Sequence, residues 1–175
     1  DYIVEVKYGD ILKIPANCKK VINFDECFTT SVGQMPGDIK PDSICGQYLK
    51  QKNDSELKLS MNELISKSGI KPEKKKSEYQ GKDRYKSGTI VPNGDDLLMA
   101  FAMLDSDGRG RFLSIKEYVD CLFYMWKEID KYYGQKDVCV PVLGSGITRF
   151  EDGSDRILSQ QELLDIMINS YKLYS

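Results

Sequence analysis

The chain contains no histidine. That removes Ser-His-Asp and Cys-His catalysis, a histidine general base and histidine-ligated zinc. It has no stretch near the ~18–20 consecutive apolar residues that a membrane span requires. The opening DYIVEVKYGD is half charged or polar, so no secretory leader is expected. Neither sign of charge is in excess, with 25 basic against 27 acidic residues and a formal net charge of −2. A general nucleic-acid binder shows a basic surplus, so nucleic acid is not an expected partner. Cysteine is sparse and scattered: Cys18, Cys27, Cys45, Cys121 and Cys139 never form a CxxC. Without a secretion signal these read as reduced thiols of a cytosolic protein rather than a disulfide frame. The missing initiator methionine leads us to expect a piece excised from a longer protein.

What is present is 175 residues, 41% hydrophobic and 30% charged. That suits one domain, residues 1–175, with a real core. Alternation predicts a strand over Tyr2–Lys7, and KVINF predicts a buried strand over Lys20–Phe24. A loop runs from Thr29 to Asp42. Ser43 opens a short helix to about Lys50, and Leu57, Met61, Leu64 and Ile65 space a helix over Glu56–Lys67. The Lys-rich stretch Ser66–Ser87 reads as a solvated loop, its run Lys74-Lys75-Lys76 as a solvated face. Further strands are expected at Gly88–Pro92, Leu97–Leu104 and Val138–Leu143. Leu97–Met103 is almost wholly apolar, as a strand covered on both faces would be. Ser114 and Glu117 spell a capping box, with Ile115, Val119, Leu122, Phe123, Trp126 and Ile129 along one helical face and Gly134 as the stop. Ser159 and Glu162 open a last helix with Leu163, Met167 and Tyr171 inward. Strands alternating with helices indicate an α/β sandwich on a largely parallel sheet.

Four short segments bear on chemistry. Asp105-Ser106-Asp107-Gly108-Arg109-Gly110 looks like a calcium loop. However, the register that puts Gly110 at position six puts Arg109 at five and Lys116 at twelve, where oxygen ligands belong. We expect a polar turn and no metal. Val140-Pro141-Val142-Leu143 ends in Gly144-Ser145-Gly146, followed by Ile147 and Thr148. Glycines at the carboxyl end of a strand allow a close backbone approach to a ligand, and successive N–H groups there can form an anion nest. The GK[ST] ending of a P-loop and the third glycine of a dinucleotide fingerprint are both missing. Gly9-Asp10-Ile11 places a carboxylate where it can accept from an exocyclic amine or simply cap a turn. Thr29-Thr30-Ser31-Val32-Gly33 offers small hydroxyls and a glycine for a phosphate or ribose, or is an ordinary loop.

Taken together, GDI, VIN, a small-residue loop and the late VPVLGSGI turn resemble the macro domain family, which binds ADP-ribose. CFTTSVG, SICGQYL, RYKSGTIVP, LSIKEYVDCLFYMW and VPVLGSGITRF are most similar to the macro domain of Thoeris antiphage defence effectors. The resemblance implies a three-layer α/β/α sandwich around a central mixed, largely parallel sheet. It implies adenine at Asp10 and Ile11, the distal ribose at Asn23, and the diphosphate on Thr30, Ser31, Val32, Gly33 and on Gly144, Ser145, Gly146, Ile147, Thr148. It also implies a sensor that binds an ADP-ribose derivative, with histidine-linked ADP-ribose the first choice, released by a TIR enzyme that consumes NAD. No separate cofactor and no metal are expected. The parent protein would be membrane-anchored through an upstream transmembrane segment, this domain would be cytoplasmic, and activation could involve oligomerisation. The first loop departs from the family's usual run of glycines, and with no histidine this favours binding over turnover. An ADP-ribosyl hydrolase is the alternative, and a structural interaction module a third.

Overall fold

The computed structural model describes residues 3–52, 54–112, 114–145, 149–150 and 158–175. Its strands are β1 (Lys19–Asp25), β2 (Ile90–Asn93), β3 (Asp96–Leu104), β4 (Gly110–Phe112), β5 (Val138–Cys139) and β6 (Arg149–Phe150). Its α-helices are α1 (Ile44–Gln51), α2 (Asp54–Ser68), α3 (Ile115–Tyr132) and α4 (Gln160–Tyr174), with a 3₁₀ turn at Ile11–Lys13. The sheet runs β5-β1-β3-β4-β6, and β2 also pairs with β3. β1 is parallel to both β3 and β5, β4 is parallel to β6, and the β2–β3 and β3–β4 pairs are antiparallel. The sheet is therefore mixed and mostly parallel.

β3 shows why the chain forms layers. Leu97, Met99 and Phe101 pack with Tyr118, Leu122 and Met125 of α3 and with Leu163 and Met167 of α4. Leu98 and Ala100 face the other way, into a cluster with Tyr48 and Leu49 of α1 and Met61 of α2. A period of two along an apolar run thus feeds two cores at once. At ~25 cal/mol per Å², each fully buried Leu or Phe stabilises the sandwich by ~1.5–3 kcal/mol. Glu128 is 3% exposed on α3. Its carboxylate accepts the Ile90 N–H at 3.3 Å and pairs with Lys131 at 2.9 Å.

The helix starts follow the sequence. Ser43, Ser114 and Ser159 each accept an N–H three residues on, and at α4 Glu162 reciprocates in a full capping box. Tyr133 caps α3 and Gly134 follows with φ +59°.

Four expectations are corrected. Residues 3–8 form no strand: Ile3 is 88% exposed and Tyr8 fully so. Alternation fixes which way side chains point but supplies no partner edge, and both edges of β1 are already taken by β3 and β5. β5 stops at Cys139, because Pro141 has no N–H to donate to a ladder. The most buried residues of α3 are Tyr118, Cys121, Leu122, Met125 and Glu128, and of the expected face only Leu122 is among them; Ile115, Trp126 and Ile129 pack half-buried against the same core. β4 and β6 were not foreseen.

Candidate functional site

β1 and β5 are adjacent and parallel, so the segments that follow them leave the same, carboxyl, end of the sheet. Ligands of open α/β sheets bind in the crevice at that end. The first segment is built on β1. Its buried Asp25 Oδ1 accepts the N–H groups of Cys27 at 2.9 Å and Thr29 at 3.1 Å, which pulls the chain into a turn. Burial holds the Asp25 carboxyl above its ordinary value; the Thr29 hydroxyl and N–H, the Cys27 N–H and the Lys82 charge act against it. Burial also raises Glu26, whose carboxylate accepts the Leu104 N–H at 3.1 Å. Burial, and then the Asp25 carboxylate, push the Cys27 thiol up to about 11. Cys27 is therefore protonated at neutral pH and a poor nucleophile.

Thr30 is buried, Ser31 exposed, and Val32 and Gly33 half-buried. Val32 bridges Ile39; the Ile39 N–H donates to Ser31 O at 2.8 Å and the Gly33 N–H to Ile39 O at 3.1 Å. The Gly33 N–H is thus already committed, and any phosphate contact in this loop falls to Thr30, Ser31 and Val32. A β-carbon at Gly33 would meet Asp38 Oδ2 at 2.6 Å, so a larger residue here would have to displace the Asp38 carboxylate.

The second segment, after β5, lies on the α3/α4 face. Gly144 has φ +88°, a conformation that favours glycine, and it sits against Leu163 and Phe101. The Tyr118 hydroxyl donates to Leu143 O at 2.7 Å, and the Leu143 N–H donates to the Met167 sulfur at 3.5 Å. Helices α3 and α4 therefore both hold the turn. Ser145 Oγ donates to Val142 O at 3.1 Å. Gly146, Ile147 and Thr148 lie outside the described residues.

The remaining expected residues flank these segments. Asp10 is exposed and caps the 3₁₀ turn, accepting the Leu12 N–H at 2.9 Å through Oδ1. Ile11 is half-buried, and Leu12 and Val32 both pack on the α1/α2 core. Asn23 is half-buried on β1 and alternates with Ile22 and Phe24, on the same face as Val21 and the α3/α4 core. Leu12 and Val32 thus pack on one core, while Asn23 faces the other and Gly144 lies against its Leu163 and Phe101. Among the described residues, no hydrogen bond or ion pair joins these side chains directly.

Residues not singled out in the sequence complete the region. A cleft of about 470 Å³ opens beside Ser31, between the Thr29–Asp38 loop and the turn carrying Tyr79, Gln80 and Lys82. The Tyr79 hydroxyl donates to Pro36 O at 2.6 Å, and the Lys82 ammonium lies 5.4 Å from the centre of the Tyr79 ring. These residues fall in the stretch expected to be solvated loop, where composition hides them. Among the described residues no cluster of three or more potential metal ligands occurs. In the calcium-like turn, Asp105 Oδ1 is occupied by the N–H groups of Asp107 and Arg109.

Residues 4–175 match the family model described as Thoeris protein ThsA, Macro domain. The chain belongs to this macro-domain family. It is 34% identical over 174 residues to the Thoeris protein ThsA of Bacillus amyloliquefaciens (strain Y2), an alignment covering 97% of this chain and 57% of that protein. The chain thus spans little more than half the length of this curated relative. Membership makes it a macro domain of an antiphage defence system, and its mixed, mostly parallel sheet with four α-helices has the α/β form of that family.

Proposed function

We propose that this macro domain is a sensor for an ADP-ribose-derived nucleotide, with histidine-linked ADP-ribose as its signal, released by a TIR enzyme that consumes NAD. The observation that supports it is the pair of turns at the carboxyl ends of adjacent parallel strands, one of them holding Gly144 at positive φ. Adenine is assigned to Asp10 and Ile11, the distal ribose to Asn23, and the diphosphate to the N–H groups of Thr30–Val32, of Gly144 and Ser145, and of Gly146, Ile147 and Thr148, the last three outside the described residues. Asp10 retains Oδ2 for an exocyclic amine while Oδ1 caps the turn. Recognition is binding alone, with no bond made or broken. In the parent protein the domain would lie on the cytoplasmic side of a membrane, joined to an upstream transmembrane segment, and would pass the signal on by a change in assembly. No helix of the described residues is long and apolar enough to cross a membrane.

The test is incubation with ADP-ribose and its amino-acid conjugate, followed by chromatography and thermal shift. A sensor returns the nucleotide intact, and at ~100 times its Kd the ligand should stabilise the domain by ~2.7 kcal/mol. Consumption of the nucleotide would establish the ADP-ribosyl hydrolase instead. Neither binding nor consumption would leave a structural module.

A further inference from the structure

We infer that the turn joining β3 to β4, residues 105–109, is a buttress for the loop after β1. Together with Tyr79 it clamps the tip of that loop at Gly37, and so holds the backbone of residues 31–33 in shape before a nucleotide arrives. The link to a nucleotide rests on the sensor reading, which assigns residues 30–32 to the diphosphate. β1 and β3 are adjacent and parallel, so the loop and the turn leave the same end of the sheet.

The clamp consists of three close approaches. The Tyr79 hydroxyl donates to Pro36 O at 2.6 Å. Gly37 has φ +83°, and a β-carbon there would overlap the Tyr79 ring. Gly108 has φ +81°, and a β-carbon there would lie 2.6 Å from the Gly37 nitrogen, 2.9 Å from its Cα and 3.0 Å from Tyr79 Cε2. Two glycine backbones and one ring edge therefore meet where no side chain fits between them.

Both parts of the clamp are fixed from behind. Asp105 Oδ1 accepts the N–H groups of Asp107 at 2.8 Å and Arg109 at 2.9 Å, and the Gly108 N–H donates to Asp105 O at 3.0 Å. Leu104 and Gly110 then pair across β3 and β4. The aspartate and glycine that make this segment look like a calcium loop thus serve a tight turn that presses on its neighbour. Tyr79 is held through its N–H, which donates at 3.2 Å to Oγ of the buried Ser77. Its segment is tied to the sheet by the Tyr85 N–H, which donates to Glu26 O at 2.8 Å.

The loop transmits the clamp inward. Ile39, two residues beyond Gly37, donates to Ser31 O and accepts from the Gly33 N–H. A loop ordered in advance need not be ordered on binding. If its competent shape is only partly populated, apparent affinity falls by that fraction.

The test is amide hydrogen exchange and stopped-flow binding on wild type, Tyr79→Phe, Gly108→Ala and the control Gly94→Ala. Gly94 also has positive φ, +60°, but nothing lies within 4 Å of its β-carbon, so this variant strains a turn without touching the loop. Exchange at Gly33, Asp38 and Ile39 should quicken about fivefold or more in Tyr79→Phe and Gly108→Ala. It should stay at the wild-type rate in Gly94→Ala. The Ala100 amide, bonded to Thr89 O within the core, should be unmoved in Tyr79→Phe. With the amino-acid conjugate of ADP-ribose, the association rate should fall by the same factor while the dissociation rate stays within about twofold. Loss of a direct ligand contact would instead raise the dissociation rate. Unchanged exchange at the three amides overturns the buttress. Quickened exchange with an unchanged association rate overturns its role in binding and leaves the sensor intact. If wild type binds neither ADP-ribose nor the conjugate, the sensor reading fails, and the exchange rates alone decide the buttress.

Discussion

Asp25 and Tyr118 do the local work of shaping the two segments, and each makes a measurable prediction. Burial keeps the Asp25 carboxyl above its ordinary 3.8 in the folded chain. The folded state therefore holds this proton to higher pH than the unfolded chain does. The stabilising contribution is complete below the unfolded value and is lost as pH rises through the folded one. Glu26 is raised by burial as well and has the same sign. Wild type should thus lose stability relative to Asp25→Asn as pH rises above 3.8, as read from urea midpoints; parallel profiles would contradict this. Tyr118→Phe removes the donor to Leu143 O in a buried setting. It should cost about 1–3 kcal/mol of stability, measured by the same unfolding curves, and should weaken nucleotide binding through the Gly144 turn. Asp10→Ala should cost roughly 1.5–3 kcal/mol of nucleotide affinity with little loss of stability, since the carboxylate caps only a three-residue turn with no fully buried residue. Unchanged affinity in calorimetry would reduce Asp10 to that cap.

The turn after β5 is the element on which the proposed nucleotide site depends most. A β-carbon at Gly144 would lie 3.6 Å from Leu163, an ordinary contact, so the obstacle is conformational: φ is +88°. Gly144→Ala should therefore strain the turn by about 1 kcal/mol or more and weaken binding, while circular dichroism shows helix and strand content unchanged. Full affinity in this variant would detach the diphosphate from the turn. This segment was legible in the sequence because a β-carbon-free residue directly after an apolar run has few uses. β1, β3 and the helix starts at Ser43, Ser114 and Ser159 were legible for similar reasons, since burial and capping are local signals. The strand expected at Tyr2–Lys7 misled because pairing depends on a free edge elsewhere in the sheet. Asp38, Tyr79 and Lys82 were hidden because they lie 41 or more positions apart across the cleft walls in segments whose composition says only loop. The most buried line of α3 shows a further limit. Glu128 is buried there through its bond to Ile90 N–H, a partner no helical period reveals.

At the scale of the whole molecule, the domain is a mixed sheet between two helical layers, with its candidate site at the carboxyl end of β1 and β5. Calcium should not change its behaviour. Arg109 and Lys116 occupy positions that need oxygen ligands, and the Asp105 carboxylate is engaged by its own turn. Millimolar calcium should leave the melting temperature unmoved, and a rise would contradict this. The central claim is that the molecule recognises an ADP-ribose derivative without consuming it. The most direct measurement is calorimetry of the wild-type chain with the amino-acid conjugate of ADP-ribose, with the nucleotide recovered and chromatographed afterwards. The account predicts saturable one-site binding and return of the conjugate intact. Conversion to ADP-ribose, or no heat of binding at concentrations that saturate a sensor, would contradict it.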